Sequence, residues 1–174
     1  MIYIVRHGET DYNVEGRFAG RLDIPLNNKG INQAYALHEK LKNIKFDLVI
    51  SSPLSRALET AKIITNNKII IDNRIIERSN GELEGKLKSE LTIIPDFNDP
   101  NESKYNIENI NDFRKRIFEF FTDLNKNYKG RNILIVTHAG VGIYARCFFE
   151  GEPKDGNYKN YKINNCEVIK YFND

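Results

Sequence analysis

Apolar residues form two kinds of pattern along the 174-residue chain. Short apolar runs rich in β-branched residues are typical of strands. They predict five strands, over residues 2–5, 47–50, 68–71, 132–136 and 167–172. In the longer segments between them, apolar residues recur every three or four positions, which is typical of helices that bury one face.

This helical spacing predicts four helices. The first three have apolar stripes at Ile31, Ala34, Leu37, Leu41 and Ile44, at Leu54, Ala57, Leu58, Ala61 and Ile64, and at Ile110, Phe113, Ile117, Phe120, Phe121 and Leu124. The fourth is predicted over residues 140–149. For the second helix we expect a start at Ser52-Pro53, because a serine N-cap followed by proline is a strong start signal.

Two segments show neither of these patterns. Residues 6–26 contain three glycines and one proline and predict a long loop, and ordered loops of that length often have a function. Residues 78–108 are polar and are broken by Gly81, Gly85, Pro95 and Pro100. They predict a lid-like insertion with at most a short helix.

Strands and helices alternate along the chain. This order predicts a single α/β domain over residues 1–174, a three-layer α/β/α sandwich with a mostly parallel central sheet.

Composition and charge exclude several classes of protein. The 26 basic and 24 acidic residues give a net charge of +2, which argues against a nucleic-acid-binding protein. No run approaches the roughly 20 apolar residues that span a bilayer, and the N-terminus lacks the basic start of a signal peptide. We therefore expect a cytoplasmic protein without membrane or nucleic-acid partners, in which Cys147 and Cys166 are free thiols. The sequence specifies no oligomeric state.

Chemically active side chains follow three of the predicted strands. Arg6 and His7 follow the first strand, Arg56 comes shortly after the second, and His138 follows the fourth. Since open α/β sheets bind ligands beyond the carboxyl ends of their strands, we expect these side chains to meet at one edge.

Two arginines and two histidines in one pocket favour an anionic ligand. Guanidinium groups match phosphate with paired donors, and the helix starts near Ser52 and Gly140 would add backbone N–H groups. Glycine lets the backbone approach oxygen atoms closely. The candidate glycines are Gly8, Gly20 and Gly140.

Such a pocket suits nucleophilic attack on phosphorus. A neutral imidazole can form a covalent intermediate when its other nitrogen is held by a hydrogen-bond partner. The arginines would stabilise the transferring group. The leaving alkoxide needs a proton, for which Glu77 is the first candidate, ahead of Glu9, Glu82 and Glu84.

A metal site is an alternative use of the same side chains. His7, His138 and Glu77 could form a two-histidine, one-carboxylate set. Arg6 and Arg56 would repel a cation from that pocket. We therefore expect no metal and no cofactor.

Five segments, in order, resemble the motifs of the histidine phosphatase superfamily, the phosphoglycerate mutase-like proteins. They are Arg6-His7-Gly8-Glu9-Thr10 with Asn13, residues 17–20 with Asp23-Ile24-Pro25-Leu26 and Gly30, Ser52-Pro53-Leu54-Ser55-Arg56-Ala57 with Thr60-Ala61, Glu77 with Gly81-Glu82-Leu83-Glu84-Gly85, and Val136-Thr137-His138-Ala139-Gly140. A single Arg-His-Gly is a weak signal, whereas five ordered motifs at predicted strand ends and loops are specific.

The resemblance implies a metal-independent phosphatase that acts on a small phosphomonoester and releases inorganic phosphate. It implies that His7 is the nucleophile and that Glu77 protonates the leaving group and later activates water. The phosphate would be bound by Arg6, Asn13, Arg56 and His138. The compact size resembles the branch that contains α-ribazole phosphatase and broad-specificity phosphatases.

The chain departs from the family pattern at three positions. Tyr12 and Leu83 stand where tryptophan is frequent, and Ala19 stands where glutamine often precedes the glycine. The expected catalytic set is intact, but these positions affect what can be inferred about the substrate.

Three other functions would use the same pocket. A cofactor-dependent phosphoglycerate mutase is one. Known mutases look longer, however, with more residues between the acid segment and the last histidine. A protein-phosphohistidine phosphatase would not need Glu77, because phosphohistidine has a good leaving group. A phospho-ligand binding module without activity would be expected to have lost His7 or Glu77.

Overall fold

A five-stranded sheet in the order β3-β2-β4-β1-β5 runs through the centre of the computed structural model, which describes residues 1–93, 95–102 and 104–173. The strands are β1 (Ile2–Arg6), β2 (Leu48–Ser51), β3 (Ile69–Ile71), β4 (Ile133–Thr137) and β5 (Val168–Tyr171). The first four are parallel, and β5 pairs antiparallel with β1. The sheet is therefore mostly parallel, as predicted.

Within the described residues, five α-helices accompany the sheet. They are α1 (Asp11–Glu15), α2 (Asn28–Leu41), α3 (Ser55–Ile64), α4 (Ile110–Asn127) and α5 (Ala139–Glu150). A four-residue 3-10 helix at Tyr158–Tyr161 precedes β5.

The sheet is covered on both faces. Successive side chains of a strand point to opposite faces, and parallel strands are usually buried on both. One face packs against α2 and α3 through Tyr3, Val5, Val49, Leu134 and Val136. The other packs against α4 and α5 through Ile2, Ile4, Ile50, Ile133 and Ile135. These two cores make the three predicted layers.

The predicted loop over residues 6–26 contains the short helix α1. The Thr10 side chain accepts from the Asn13 N–H, and the Asn13 side chain accepts from the Thr10 N–H, which forms a capping box. None of the five residues of α1 is buried. The helix therefore has no apolar stripe, and the spacing of apolar residues could not predict it.

The predicted start of the second long helix at Ser52-Pro53 is wrong. The helix α3 begins at Ser55, and its N-cap Leu54 makes no side-chain hydrogen bond. The Ser52 hydroxyl lies 2.6 Å from the His138 ring, so it is engaged elsewhere. Asp23 supplies the cap from a distant loop, since its Oδ1 accepts from the Ser55 N–H at 2.7 Å.

Residues 78–108 contain three 3-10 helices, Gly81–Leu83, Lys88–Glu90 and Lys104–Asn106, and no α-helix within the described part of the segment. Ile94 and Ser103 lie outside the described residues. Leu83 and Ile107 form a small separate core with Phe18 from the loop after β1. The lid-like character of this segment stays a prediction.

No helix in the described ranges combines the length and the apolar character needed to cross a bilayer. Cys147 is buried, Cys166 is half-buried, and both thiols are free.

Candidate active site

A cavity of about 480 Å³ lies beyond the carboxyl ends of β1, β2 and β4. Its lining includes Arg6 and His7 at the end of β1, Arg56 in α3 and Gly140 in α5. The parallel strands bring these residues together because their carboxyl ends share one edge of the sheet. The other predicted residues on its walls are Asn13, Gly20 and Glu77.

The His7 ring is buried and held in one tautomer. Its Nδ1 lies 2.7 Å from the Gly8 carbonyl oxygen. A carbonyl only accepts, so Nδ1 carries the hydrogen and Nε2 keeps its lone pair. Burial and the positive charges of Arg56 and Arg6 hold the pKa of His7 well below its ordinary value. The ring is therefore neutral, and its Nε2 has no hydrogen-bond partner among the described residues.

His138 lies against His7, with the ring centroids 5.2 Å apart. It is fully buried and does not line the cavity. Its Nε2 is 2.6 Å from the Ser52 hydroxyl, whereas its Nδ1 is buried without a partner among the described residues. Burial and Arg56 hold the pKa of His138 well below its ordinary value.

The two arginines are buried and held by carbonyl oxygen atoms. Arg56 is 1% exposed and donates to Leu22 at 2.7 Å and to Gly20 at 2.8 Å. Arg6 donates to the Ile163 carbonyl at 3.1 Å. The Nε atoms of both are buried without a partner in the described part of the chain. Carbonyl groups carry no net charge, so both guanidinium groups keep their positive charge for a ligand.

Glu77 is the carboxylate on the wall of the cavity. Its Oε1 accepts from the Arg78 N–H at 2.9 Å, and its Oε2 accepts from the Gly140 N–H at 3.1 Å. A Cβ at Gly140 would lie 2.4 Å from Oε1, so this position has no room for a side chain. Arg116 donates to the Glu77 carbonyl at 3.2 Å and fixes its main chain.

The three weaker acid candidates are not on the cavity wall. Glu9 pairs with Lys29 at 2.9 Å, and this partner lowers the pKa of Glu9. Glu82 accepts from Asn106 at 2.7 Å, and Glu84 accepts from backbone N–H groups. Glu77 is therefore the candidate acid with access to a ligand.

Packing alone explains why positions 8 and 20 are glycines, apart from the predicted approach to phosphate oxygens. A Cβ at Gly8 would lie 2.5 Å from the Gly30 carbonyl oxygen. A Cβ at Gly20, which has a φ of +48°, would lie 2.1 Å from Glu84 Oε1. Both glycines thus make room for other protein groups, and Gly20 also lines the cavity.

The sequence pattern assigned no specific role to several residues of the site. Arg78 is buried on the cavity wall and donates to the carbonyls of Glu108, at 2.8 Å, and Phe97. Its position directly after Glu77 was the available signal. Lys88 also lines the cavity, at an exposed position. Asn165, before β5, donates to the His7 carbonyl at 2.9 Å.

The three departures from the family pattern lie close to this site. Ala19 lines the cavity, Leu83 is fully buried in the small core with Phe18, and the Tyr12 ring lies 5.8 Å from the Arg17 guanidinium carbon.

The alternative metal site has no support from side-chain placement. Within residues 1–93, 95–102 and 104–173, no group of three or more His, Cys, Asp or Glu side chains is arranged to hold a metal ion.

Known proteins share this sequence pattern. The model of the histidine phosphatase superfamily (branch 1) matches residues 2–171. The phosphatase PhoE of Bacillus subtilis (strain 168) is 35% identical over 148 residues, which cover 83% of this chain and 74% of that protein. The adenosylcobalamin/α-ribazole phosphatase of Salmonella typhimurium is 32% identical over 152 residues, 80% of this chain and 74% of that protein.

Solved structures share the fold. A phosphoserine phosphatase mutant from Entamoeba histolytica, in complex with phosphoserine, has a TM-score of 0.82 at 26% identity and covers 96% of this chain and 87% of its own. The predicted fold class and family resemblance are confirmed. Because the family model spans nearly the whole chain and these relatives are phosphatases, the chain belongs to branch 1 of the histidine phosphatase superfamily and is a phosphatase that hydrolyses phosphate esters.

Proposed function

We propose that the protein is a metal-independent phosphatase that hydrolyses a small phosphomonoester through a phosphohistidine on His7. The observation that carries this proposal is a neutral, buried imidazole with a free Nε2 beside two arginines. Neither Arg6 nor Arg56 has a carboxylate partner among the described residues. In-line attack on a phosphate dianion needs both the nucleophile and the uncompensated positive charge.

A bound phosphoryl group would satisfy groups that the protein leaves unpaired. The Nε atoms of Arg6 and Arg56 and the Nδ1 of His138 are buried without partners in the described residues. Each buried donor without a partner costs roughly 1–3 kcal/mol. Phosphate oxygens would accept from the two arginine Nε–H groups, whose residues line the cavity, and the amide of Asn13 on the cavity wall would add a further donor.

In the first step, Nε2 of His7 attacks phosphorus. The new P–N bond forms as the P–O bond to the leaving alkoxide breaks, and the alkoxide takes a proton from Glu77. The Gly8 carbonyl, which accepts from Nδ1–H, stabilises the positive charge that develops on the ring. The N–H groups of Arg78 and Gly140 hold the Glu77 carboxyl in place.

In the second step, the Glu77 carboxylate takes a proton from water. The water oxygen attacks phosphorus and the P–N bond breaks, which releases inorganic phosphate and restores neutral His7. Glu77 ends the cycle protonated, so atoms and charge balance over the two steps.

The charge of the cavity favours a substrate with a second anionic group. Five cationic side chains line it, and one of them, Arg17, pairs with Glu15. The others have no ion pair among the described residues, and Glu77 is the carboxylate that faces them. The unpaired cations are Arg6, Arg56, Arg78 and Lys88. A phosphate dianion compensates only part of this charge, so a carboxylate elsewhere on the substrate is expected, as in phosphoserine.

The nucleophile can be tested by trapping. A radiolabelled phosphomonoester, mixed with the protein in EDTA and quenched rapidly, should leave a label that acid removes and base does not, as for a P–N bond. His7→Gln should lose the label and at least about 1,000-fold of turnover. The control His38→Gln, in α2 outside the cavity, should keep both. A label on His7→Gln, or inhibition by EDTA, would contradict the mechanism.

The acid can be tested with two leaving groups. Glu77→Gln should lower kcat/KM for alkyl phosphates by about 100-fold or more, because their alkoxides need a proton. For p-nitrophenyl phosphate, whose leaving group needs none, kcat/KM should change only a few-fold, since this constant does not include hydrolysis of the intermediate. The control Glu82→Gln should behave as the native protein. Equal losses on both substrates would assign the acid to another residue.

The neutral histidines predict a pH dependence of stability. In the unfolded chain a histidine gains its proton near pH 6.5, whereas the lowered pKa values of His7 and His138 keep both neutral in the folded protein. Below that pH the unfolded state binds more protons, so the free energy of unfolding should fall as pH drops. Urea unfolding from about pH 7.5 to about pH 5.5 measures this slope, at most about 1.4 kcal/mol per pH unit for each histidine. A slope unchanged in the variant with both His7→Gln and His138→Gln would contradict it.

The second anionic group can be tested with a matched pair of substrates. Glycerol 3-phosphate lacks the carboxylate of 3-phosphoglycerate and is otherwise similar in shape. Lys88→Met should lower kcat/KM for 3-phosphoglycerate by about tenfold, the effect of roughly 1.4 kcal/mol, and leave glycerol 3-phosphate unchanged. Lys86→Met, at an exposed position off the cavity wall, is the control. A loss shared by both substrates would mean that Lys88 does not select the carboxylate.

A further inference from the structure

The Asn165 side chain connects two residues of the site that are far away in sequence. Its Nδ2 donates to the His7 carbonyl at 2.9 Å and to Asn13 Oδ1 at 3.2 Å. These partners are 158 and 152 positions away along the chain. Asn165 itself does not line the cavity. One amide therefore contacts the main chain of the proposed nucleophile and the side chain of a proposed phosphate ligand.

The bond to Asn13 determines which end of that amide a ligand meets. Asn13 Oδ1 also accepts from the Thr10 N–H at 3.2 Å. An amide oxygen has two lone pairs, and these two N–H groups use both. The flipped orientation would place the Asn13 NH2 group against two donors. Asn13 lines the cavity, so the group it has left for a ligand is its NH2 donor, as phosphate requires.

The turn that contains Asn165 is clamped to the end of β1 on both sides. The Cys166 N–H donates to the Arg6 carbonyl at 2.9 Å, and the Arg6 guanidinium donates to the Ile163 carbonyl at 3.1 Å. Cys166 has a φ of +54°, which is unfavourable for a residue with a Cβ. Backbone strain of this kind persists where the surroundings enforce it, often at functional sites. Here the strained turn places Asn165 between His7 and Asn13.

We propose that Asn165 is a positioning residue for the phosphatase reaction. It holds Asn13 with its N–H donors toward the phosphate and fixes the main chain at His7, and it touches neither the substrate nor the reacting atoms. This inference rests on the proposed function, because it assumes that phosphate binds beside His7.

The test is a double-mutant cycle on the affinity for inorganic phosphate, measured by isothermal titration calorimetry. Asn165→Ala and Asn13→Ala should each weaken binding by about tenfold. If Asn165 acts through Asn13, the double variant should bind about as weakly as Asn13→Ala alone. Asn164→Ala is the matched control. The Asn164 side chain donates to Glu167 at 2.9 Å, so its removal should leave phosphate affinity unchanged.

Asn165→Asp is the second variant, because it keeps the shape of the side chain and loses both N–H donors. It should weaken phosphate binding more than Asn165→Ala, since it places a carboxylate against Asn13 Oδ1. Thermal unfolding of each variant separates the two kinds of effect. A merely structural asparagine would lower the unfolding temperature and leave the phosphate affinity of the folded protein unchanged.

The outcomes separate this proposal from the one on which it rests. Absence of phosphate binding by the native protein would remove the premise of the positioning role, whereas the label on His7 tests the phosphatase mechanism separately. Native binding with unchanged affinity in Asn165→Ala and Asn165→Asp would overturn the positioning role alone. Losses that add fully in the double variant would overturn the part of the role that acts through Asn13 and leave only the bond to the His7 main chain.

Discussion

Buried positive charge at one edge of the sheet is the constraint on which the rest of the structure depends. Arg6 ends β1 and Arg56 lies in α3, shortly after β2, and burial of a cation without a counter-ion is costly at both places. Both guanidinium groups donate to neutral acceptors, the carbonyls of Gly20, Leu22 and Ile163. Two irregular segments are thereby tied to the sheet edge, the loop after α1 and the turn before β5. The charge stays available, and an anion is the ligand that compensates it.

The same charge adds to the effect of burial on the two histidines. Burial, together with Arg56 and Arg6, lowers the pKa of His7, so the ring proposed to attack phosphorus is held in its neutral form. A phosphate dianion would offset that field when it binds. The ring could then carry the positive charge that it acquires in the phosphohistidine. One arrangement of arginines would thus prepare the nucleophile before binding and permit its charge afterwards.

The sequence predicted the sheet, the long helices and the edge where the chemistry collects, because apolar periodicity and strand order are local signals. The cavity is lined, as expected, by His7, Arg6, Arg56, Gly140 and Glu77. His138 contacts the His7 ring but does not line the cavity. The pattern could not indicate Asn165, because spacing does not give the direction of β5, and only an antiparallel β5 brings the turn before it to the same edge. Ser52 was misassigned as a helix cap for a similar reason. Its actual partner, His138, is 86 positions away and invisible to local reasoning.

The groups that would perform the reaction and those that would select the substrate are held in different ways. Glu77 and His7 are fixed by backbone groups at the sheet edge, where a change of position would disturb the fold. Lys88 lies in a short 3-10 helix at an exposed position, where a substitution removes little packing. Substrate preference can therefore change while the phosphoryl-transfer site is retained. For this reason the family motifs predict the reaction of this chain more securely than its substrate.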